Sequence, residues 1–166
     1  MPDLITFRAP AASDAADLWR LARDSGSLDL NSPYAYLMWC TDFADTAVVA
    51  ADGDAVVGFV VGHRPPTEPA CAFVWQVAVA DTMRGHGLGR RLLLAFLDQP
   101  GNRGARWLTA TVTPSNGASL ALFRGTAAHL GVGCTEHERF PAGVFPAEAG
   151  GHESEIAVRI GPLPAD

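Results

Sequence analysis

The run Cys71-Ala-Phe-Val-Trp-Gln-Val-Ala-Val79 carries one polar side chain, Gln76, and leads within a few residues into the turn Arg84-Gly-His-Gly-Leu-Gly89. A strand apolar on both alternating faces has to be covered on both, so it belongs inside a sheet flanked by helices. Beyond the turn, Leu92, Leu93, Phe96 and Leu97 recur at helical spacing. A strand that passes through glycines into a helix leaves the first helical N–H groups unsatisfied, at the positive end of the helix dipole. Glycines admit an anion to the backbone, and Arg84 and Arg90 add charged donors. The segment Arg84, Gly85, His86, Gly87, Leu88, Gly89 and Arg90 is therefore a candidate pyrophosphate cradle. A dinucleotide fingerprint starting at Gly85 needs glycine at position 90, which is Arg90, so that alternative fails on spacing.

The rest of the chain supplies further elements. Leu4–Arg8 reads as a strand, and Ser13 as the N-cap of a helix carrying Leu18, Leu21 and Ala22. Ser32-Pro33 has the form of an N-cap and first helical position, opening a helix towards Trp39. Thr46–Ala51 and Ala55–His63 flank Asp52-Gly53-Asp54 as a hairpin. Trp107–Thr113 is a strand with Thr109, Thr111 and Thr113 on one face. Asn116 opens a helix carrying Leu120, Leu122 and Phe123. Gly133–Arg139 reads as a strand, Pro141–Gly151 as a loop, and Ile156, Val158 and Ile160 alternate as the last strand. The order β-α-α-β-β-β-α-β-α-β-β predicts one α/β domain over residues 4–166, with helices packed on a mixed sheet.

Composition excludes other chemistry. All 12 basic residues are arginine, and a chain without lysine has neither a Walker A phosphate loop nor a Schiff-base amine. A net charge of −6 with scattered arginines argues against nucleic acid as partner. Cys40, Cys71 and Cys134 are odd in number and far apart, which suits reduced core thiols and neither disulfides nor a zinc site. No leader pattern and no run long enough for a membrane span is visible, so a cytoplasmic protein with no membrane partner and no metal is expected.

Arg84-x-x-Gly87-x-Gly89 after an apolar strand resembles the acetyl-CoA pyrophosphate loop of the GNAT N-acetyltransferases, and the element order matches that family along nearly the whole chain. The resemblance implies a mixed, mostly antiparallel sheet of about seven strands with helices on both faces. It implies acetyl-CoA as co-substrate, with the pantetheine arm paired on the backbone around Val77 and Val79. The helix opened by Asn116 would flank the arm through Ser119 and Phe123. Five further blocks resemble the branch of the family that acetylates the γ-amine of L-2,4-diaminobutyrate to make the ectoine precursor under salt stress: Leu28–Tyr34, Val60–Thr67, Phe73–Val79, Ala110–Asn116 and Gly150–Glu153. That branch implies a homodimer.

The chain departs from the wider family at two positions. Many members carry a tyrosine seven residues after the asparagine, as acid to the leaving thiolate, where this chain has Phe123. Many carry a glutamate base on the fourth strand, where this chain has Gln76. Tyr34 and Tyr36 are the only tyrosines, and Tyr34 is the first choice as general acid, since a phenol of pKa ~10 can protonate a thiolate of pKa ~8.5 in tight geometry.

A substrate with two ammonium groups and one carboxylate needs acceptors and donors together. Asp29, Glu153 and Glu155 are candidate ammonium partners, with Asp29 or Glu153 also a route for the amine's proton through water. Asn31, the Trp75 N–H, Thr111 and His152 are candidate carboxylate donors. Tyr34 completes the expected substrate site, and the Val77 N–H is the expected donor to the thioester oxygen. Each has a plainer reading: Asp29 and Asn31 as helix caps, Trp75 as core, Thr111 as sheet packing, His152 as a loop residue. An acetyltransferase for another small amine or a peptide N-terminus is the neighbouring alternative. A non-catalytic acyl-CoA sensor is the alternative of a different class.

Overall fold

The computed structural model describes residues 4–165; residues 1–3, part of the segment read for a leader, and 166, the last residue of the expected domain, lie outside it. Seven strands form one sheet: β1 Ile5–Arg8, β2 Val48–Asp52, β3 Ala55–His63, β4 Cys71–Val79, β5 Trp107–Val112, β6 Gly133–Phe140 and β7 Glu155–Gly161. Their spatial order is β1-β2-β3-β4-β5-β7-β6. Every neighbouring pair is antiparallel except β4 with β5. Four helices cover the sheet: α1 Ala15–Ser25, α2 Pro33–Cys40, α3 Leu88–Leu97 and α4 Gly117–Leu130. The mixed sheet with helices on both faces is the expected fold.

Two apolar cores result, one on each face. Leu88, Leu92, Leu93 and Phe96 of α3 and Phe123 and Ala127 of α4 bury Val74, Leu108, Ala110, Val158 and Ile160. Leu18 and Ala22 of α1 with Tyr36 and Cys40 of α2 bury Val49, Phe59 and Val61 from the other side. Strand β4 is closed on both faces, which is why its sequence shows no simple alternation.

Local capping signals hold at two helices. The Ser32 side chain accepts from the Ala35 N–H with Pro33 at the first position of α2, and Asn116 accepts from the Ser119 N–H. The expected cap at Ser13 is incorrect. A short 3-10 turn, Ala12–Asp14, precedes α1, and Asp14 occupies the cap position. Its carboxylate accepts from the Ala11 N–H and pairs with Arg8, six residues earlier at the end of β1, so the turn and this short-range ion pair set the helix start. These bonds from Arg8 hold the Asp14 carboxyl below the usual range.

Candidate active site

Strands β4 and β5 pair only from Cys71↔Trp107 to Val74↔Ala110. Beyond Val74, β4 continues against β3 alone, and the β5 side of Trp75–Val79 opens into a cleft. The β3–β4 register steps from Val61↔Gln76 to Gly62↔Val74, so Trp75 is an inserted, bulged residue. A side chain at Gly62 would collide with the Phe73 carbonyl oxygen and the Phe96 ring, which makes glycine necessary at the bulge. The bulge reverses the facing of β4. Ala72 and Val74 join the α3/α4 core before it; after it, Val77 and Val79 pack there and Ala78 joins the α1/α2 core.

The cleft encloses about 350 Å³. It brings together, from positions far apart in the chain, Asp29, Asn31, Trp75 and Val77 on one side with Thr111, Asn116, Ser119, Phe123 and His152 on the other. Asp29 and Asn31 belong to the loop before α2, and Ser32 is the residue that caps that helix. Trp75 is half-exposed at the cleft and rests against Trp39, with ring centroids 5.9 Å apart. Phe123 is 2% exposed and forms both core and cleft wall.

Charge in the cleft is concentrated around His152. Its Nδ1 lies 2.6 Å from the Glu153 carbonyl oxygen, which can only accept, so Nδ1 donates. Its Nε2 lies 3.3 Å from Asp29 Oδ2 and 3.8 Å from Glu155 Oε1. Both ring nitrogens therefore face acceptors, an arrangement that suits the imidazolium. The Glu153 carbonyl first and Asp29 second raise the pKa of His152 above its ordinary value, against partial desolvation. Phe145 stacks on the ring at 3.8 Å. Burial raises the Glu155 carboxyl above the usual range, with the Thr111 hydroxyl and His152 opposing the shift. Glu153 lies in an adjoining polar recess beside Ser115, whose N–H and hydroxyl donate to its carboxylate.

The glycine turn lies apart from these groups. Arg84, Gly85, His86, Gly87 and Arg90 are exposed, and Leu88 is buried beneath them. Gly85 and Gly87 have φ of 79° and 74°, the left-handed region, and a Cβ on either would meet open space. Gly87 caps α3 without any side-chain bond, leaving the first-turn N–H groups outward. The turn thus has the exposed amides, dipole end and arginines that a pyrophosphate needs, so the chain's own residues fit coenzyme A here. Gly89, in the first turn of α3, also serves packing. A Cβ there would lie 3.1 Å from Leu122 of α4.

One expected catalytic residue is displaced. Tyr34 is 68% exposed on α2 and lines neither recess. Tyr36, two residues on, turns inward and is fully buried, its hydroxyl 3.0 Å from Gln76 Oε1. Val79 packs on the α3/α4 core next to the cleft rather than in its wall. Sequence reasoning gave Phe145 no role and treated Tyr36 and Gln76 only as a spare tyrosine and a missing base. Gln76 alone left a signal, as the single polar side chain in an apolar run.

The fold and cleft define a class of acetyltransferase. The chain belongs to the Acetyltransferase (GNAT) family, whose model matches residues 14–126. Within it, the chain is 47% identical over 157 residues to the L-2,4-diaminobutyric acid acetyltransferase of Nocardia farcinica, covering 95% of this chain and 80% of that protein. It is 46% identical over 158 residues to the enzyme of the same name from Streptomyces coelicolor, covering 94% and 92%. A solved diaminobutyrate acetyltransferase from Paenibacillus lautus, in complex with its substrate L-2,4-diaminobutyric acid and coenzyme A, superimposes with a TM-score of 0.91 at 40% identity, covering 98% of this chain and 97% of that one.

Proposed function

We propose that this protein transfers the acetyl group of acetyl-CoA to the γ-amine of L-2,4-diaminobutyrate, giving N-γ-acetyl-L-2,4-diaminobutyrate for ectoine biosynthesis. The observation that carries this reading is the charge pattern of the cleft. Two carboxylates, Asp29 and Glu155, and the His152 imidazole, whose proton affinity is raised there, answer a substrate with two ammonium groups and one carboxylate. The relatives named above act on that compound.

In this reading acetyl-CoA lies with its pyrophosphate on the turn from Arg84 to Arg90 and its arm along the open side of β4. The acceptor amine enters as an ammonium ion; with pKa ~10.4 it is well under 1% neutral near pH 8. Glu155, whose burial makes it a stronger base than an exposed carboxylate, takes that proton, and Asp29 holds the α-ammonium. The neutral nitrogen attacks the thioester carbonyl carbon, the Val77 N–H meets the charge on the oxygen, and the C–S bond breaks. The second amine proton passes to solvent as the intermediate collapses, and Glu155 then gives the first proton to solvent. Since Tyr34 lies outside the cleft, a thiolate of pKa ~8.5 is released near the working pH and protonated by solvent.

The whole segment 4–166 is read as one acetyltransferase domain acting in the cytoplasm under osmotic stress, with these two small molecules as its partners. It is also read as a homodimer, supported by the exposed apolar side chains Leu30, Tyr34 and Leu37 along and beside α2. Thiol release from acetyl-CoA with diaminobutyrate, and NMR of the product, test the activity. Acetylation at γ is expected; acetylation at α, or no turnover, overturns the reading. Sedimentation in solution checks the dimer.

A further inference from the structure

We propose that Gln76 is a positioning residue for the acceptor substrate: its amide ties β4 to the loop before α2 and thereby sets Asp29 opposite His152. This rests on the function proposed above. Gln76 is 5% exposed, and its Nε2 donates to the Asp29 carbonyl oxygen at 2.7 Å while its Oε1 accepts from the Tyr36 hydroxyl at 3.0 Å. The Tyr36 oxygen in turn accepts from the Asn31 N–H at 3.4 Å. Each group has one direction open to it. A carbonyl only accepts, so the amide nitrogen must face Asp29, and the hydroxyl must then donate to Oε1. The relay begins and ends on the same loop, at Asn31 and Asp29, with β4 as its fixed point.

The Asp29 side chain is 86% exposed and meets His152, so the place of its carboxylate depends on where its backbone is held. Gln76 reaches that backbone because the Trp75 bulge turns it to the α1/α2 side; in an unbroken strand it would share the facing of Val74. A carboxylate at position 76 would accept from Tyr36 but would confront the Asp29 carbonyl with a second acceptor. The amide found where many family members carry a glutamate is therefore the group that this loop requires.

The test is the pair Gln76→Glu and Tyr36→Phe, assayed with acetyl-CoA and diaminobutyrate across roughly pH 6 to 9 alongside the wild type. In Gln76→Glu the KM for diaminobutyrate, taken as a ratio to wild type, is expected to rise about tenfold or more at the alkaline end. It should fall back towards unity at the acid end, because burial and the facing Asp29 carbonyl raise the pKa of the new carboxyl and favour its protonated form, which again donates to Asp29. The KM for acetyl-CoA stays unchanged. Tyr36→Phe shows a smaller rise without that pH dependence. A diaminobutyrate KM ratio near unity at every pH overturns the assignment. So does a rise in both KM values that is independent of pH, which marks a merely structural role. If wild-type protein fails to turn over diaminobutyrate, the proposed function falls and takes this assignment with it; wild-type turnover with either of the other two results overturns the assignment alone.

Discussion

His152 Nε2 and Asp29 Oδ2 lie 3.3 Å apart across the mouth of the cleft, joining residues 123 positions distant in the chain. The Glu153 carbonyl holds the other ring nitrogen. The folded protein therefore binds the His152 proton more tightly than the unfolded chain does. Stability from this contact is fully present below about pH 6.5 and is lost as pH rises through the higher folded value. The Tm difference between wild type and His152→Gln should be widest near about pH 6 and shrink towards about pH 8.5. A difference that widens with pH would contradict the pairing. The same variant should raise the KM for diaminobutyrate and leave that for acetyl-CoA in place.

Glu155 has the opposite balance. Burial raises its carboxyl pKa, so ionising it in the fold is unfavourable and its contribution to stability falls as pH rises through that range. Glu155→Gln is expected to melt higher than wild type near pH ~8 and to lose that advantage near pH ~4. Its kcat should drop about 10²- to 10⁴-fold, the usual worth of a positioned proton acceptor. Wild-type turnover in a folded Glu155→Gln protein would remove Glu155 as the base.

Two glycines of the turn separate by mechanism. Gly87→Ala places a Cβ in open space on a left-handed residue, a strain of about 1–2 kcal/mol, and crowds the amides offered to the pyrophosphate. The KM for acetyl-CoA should rise with that for diaminobutyrate unchanged. Gly89→Val pushes against Leu122 and should cost about 1–3 kcal/mol by overpacking the α3–α4 contact. Thermal melts and the two KM values distinguish the cases; a Gly89→Val protein as stable as wild type would show that the helices yield.

Length selectivity follows from a clamp at the α-carbon. With Asp29 and His152 holding the α-amino and carboxylate groups, the γ-nitrogen meets the thioester at a fixed distance. Ornithine, one methylene longer, must buckle, and diaminopropionate must fall short on the ~1 Å scale at which attack geometry fails. Discrimination of about 10–200-fold in kcat/KM is expected. Competition assays with the three diamines decide it, and equal turnover of ornithine would remove the clamp.

Where neighbours a few residues away settle a feature, it could be read from the chain itself. The Ser32-Pro33 and Asn116 helix starts, the apolar run of β4, the glycine turn and the α3 stripe are of that kind, because caps and periodicity are local physics. Which polar groups meet was decided only by the packed sheet. Tyr34 and Tyr36 lie about 200° apart around one helix, so only one can face β4, and the α1/α2 core selects Tyr36. The bulge at Trp75 decides the face on which Gln76 lies, and it depends on a register shift against β3. The His152–Asp29–Glu155 group forms where the loop before α2 meets the start of β7, a contact between segments more than a hundred residues apart that no local pattern encodes.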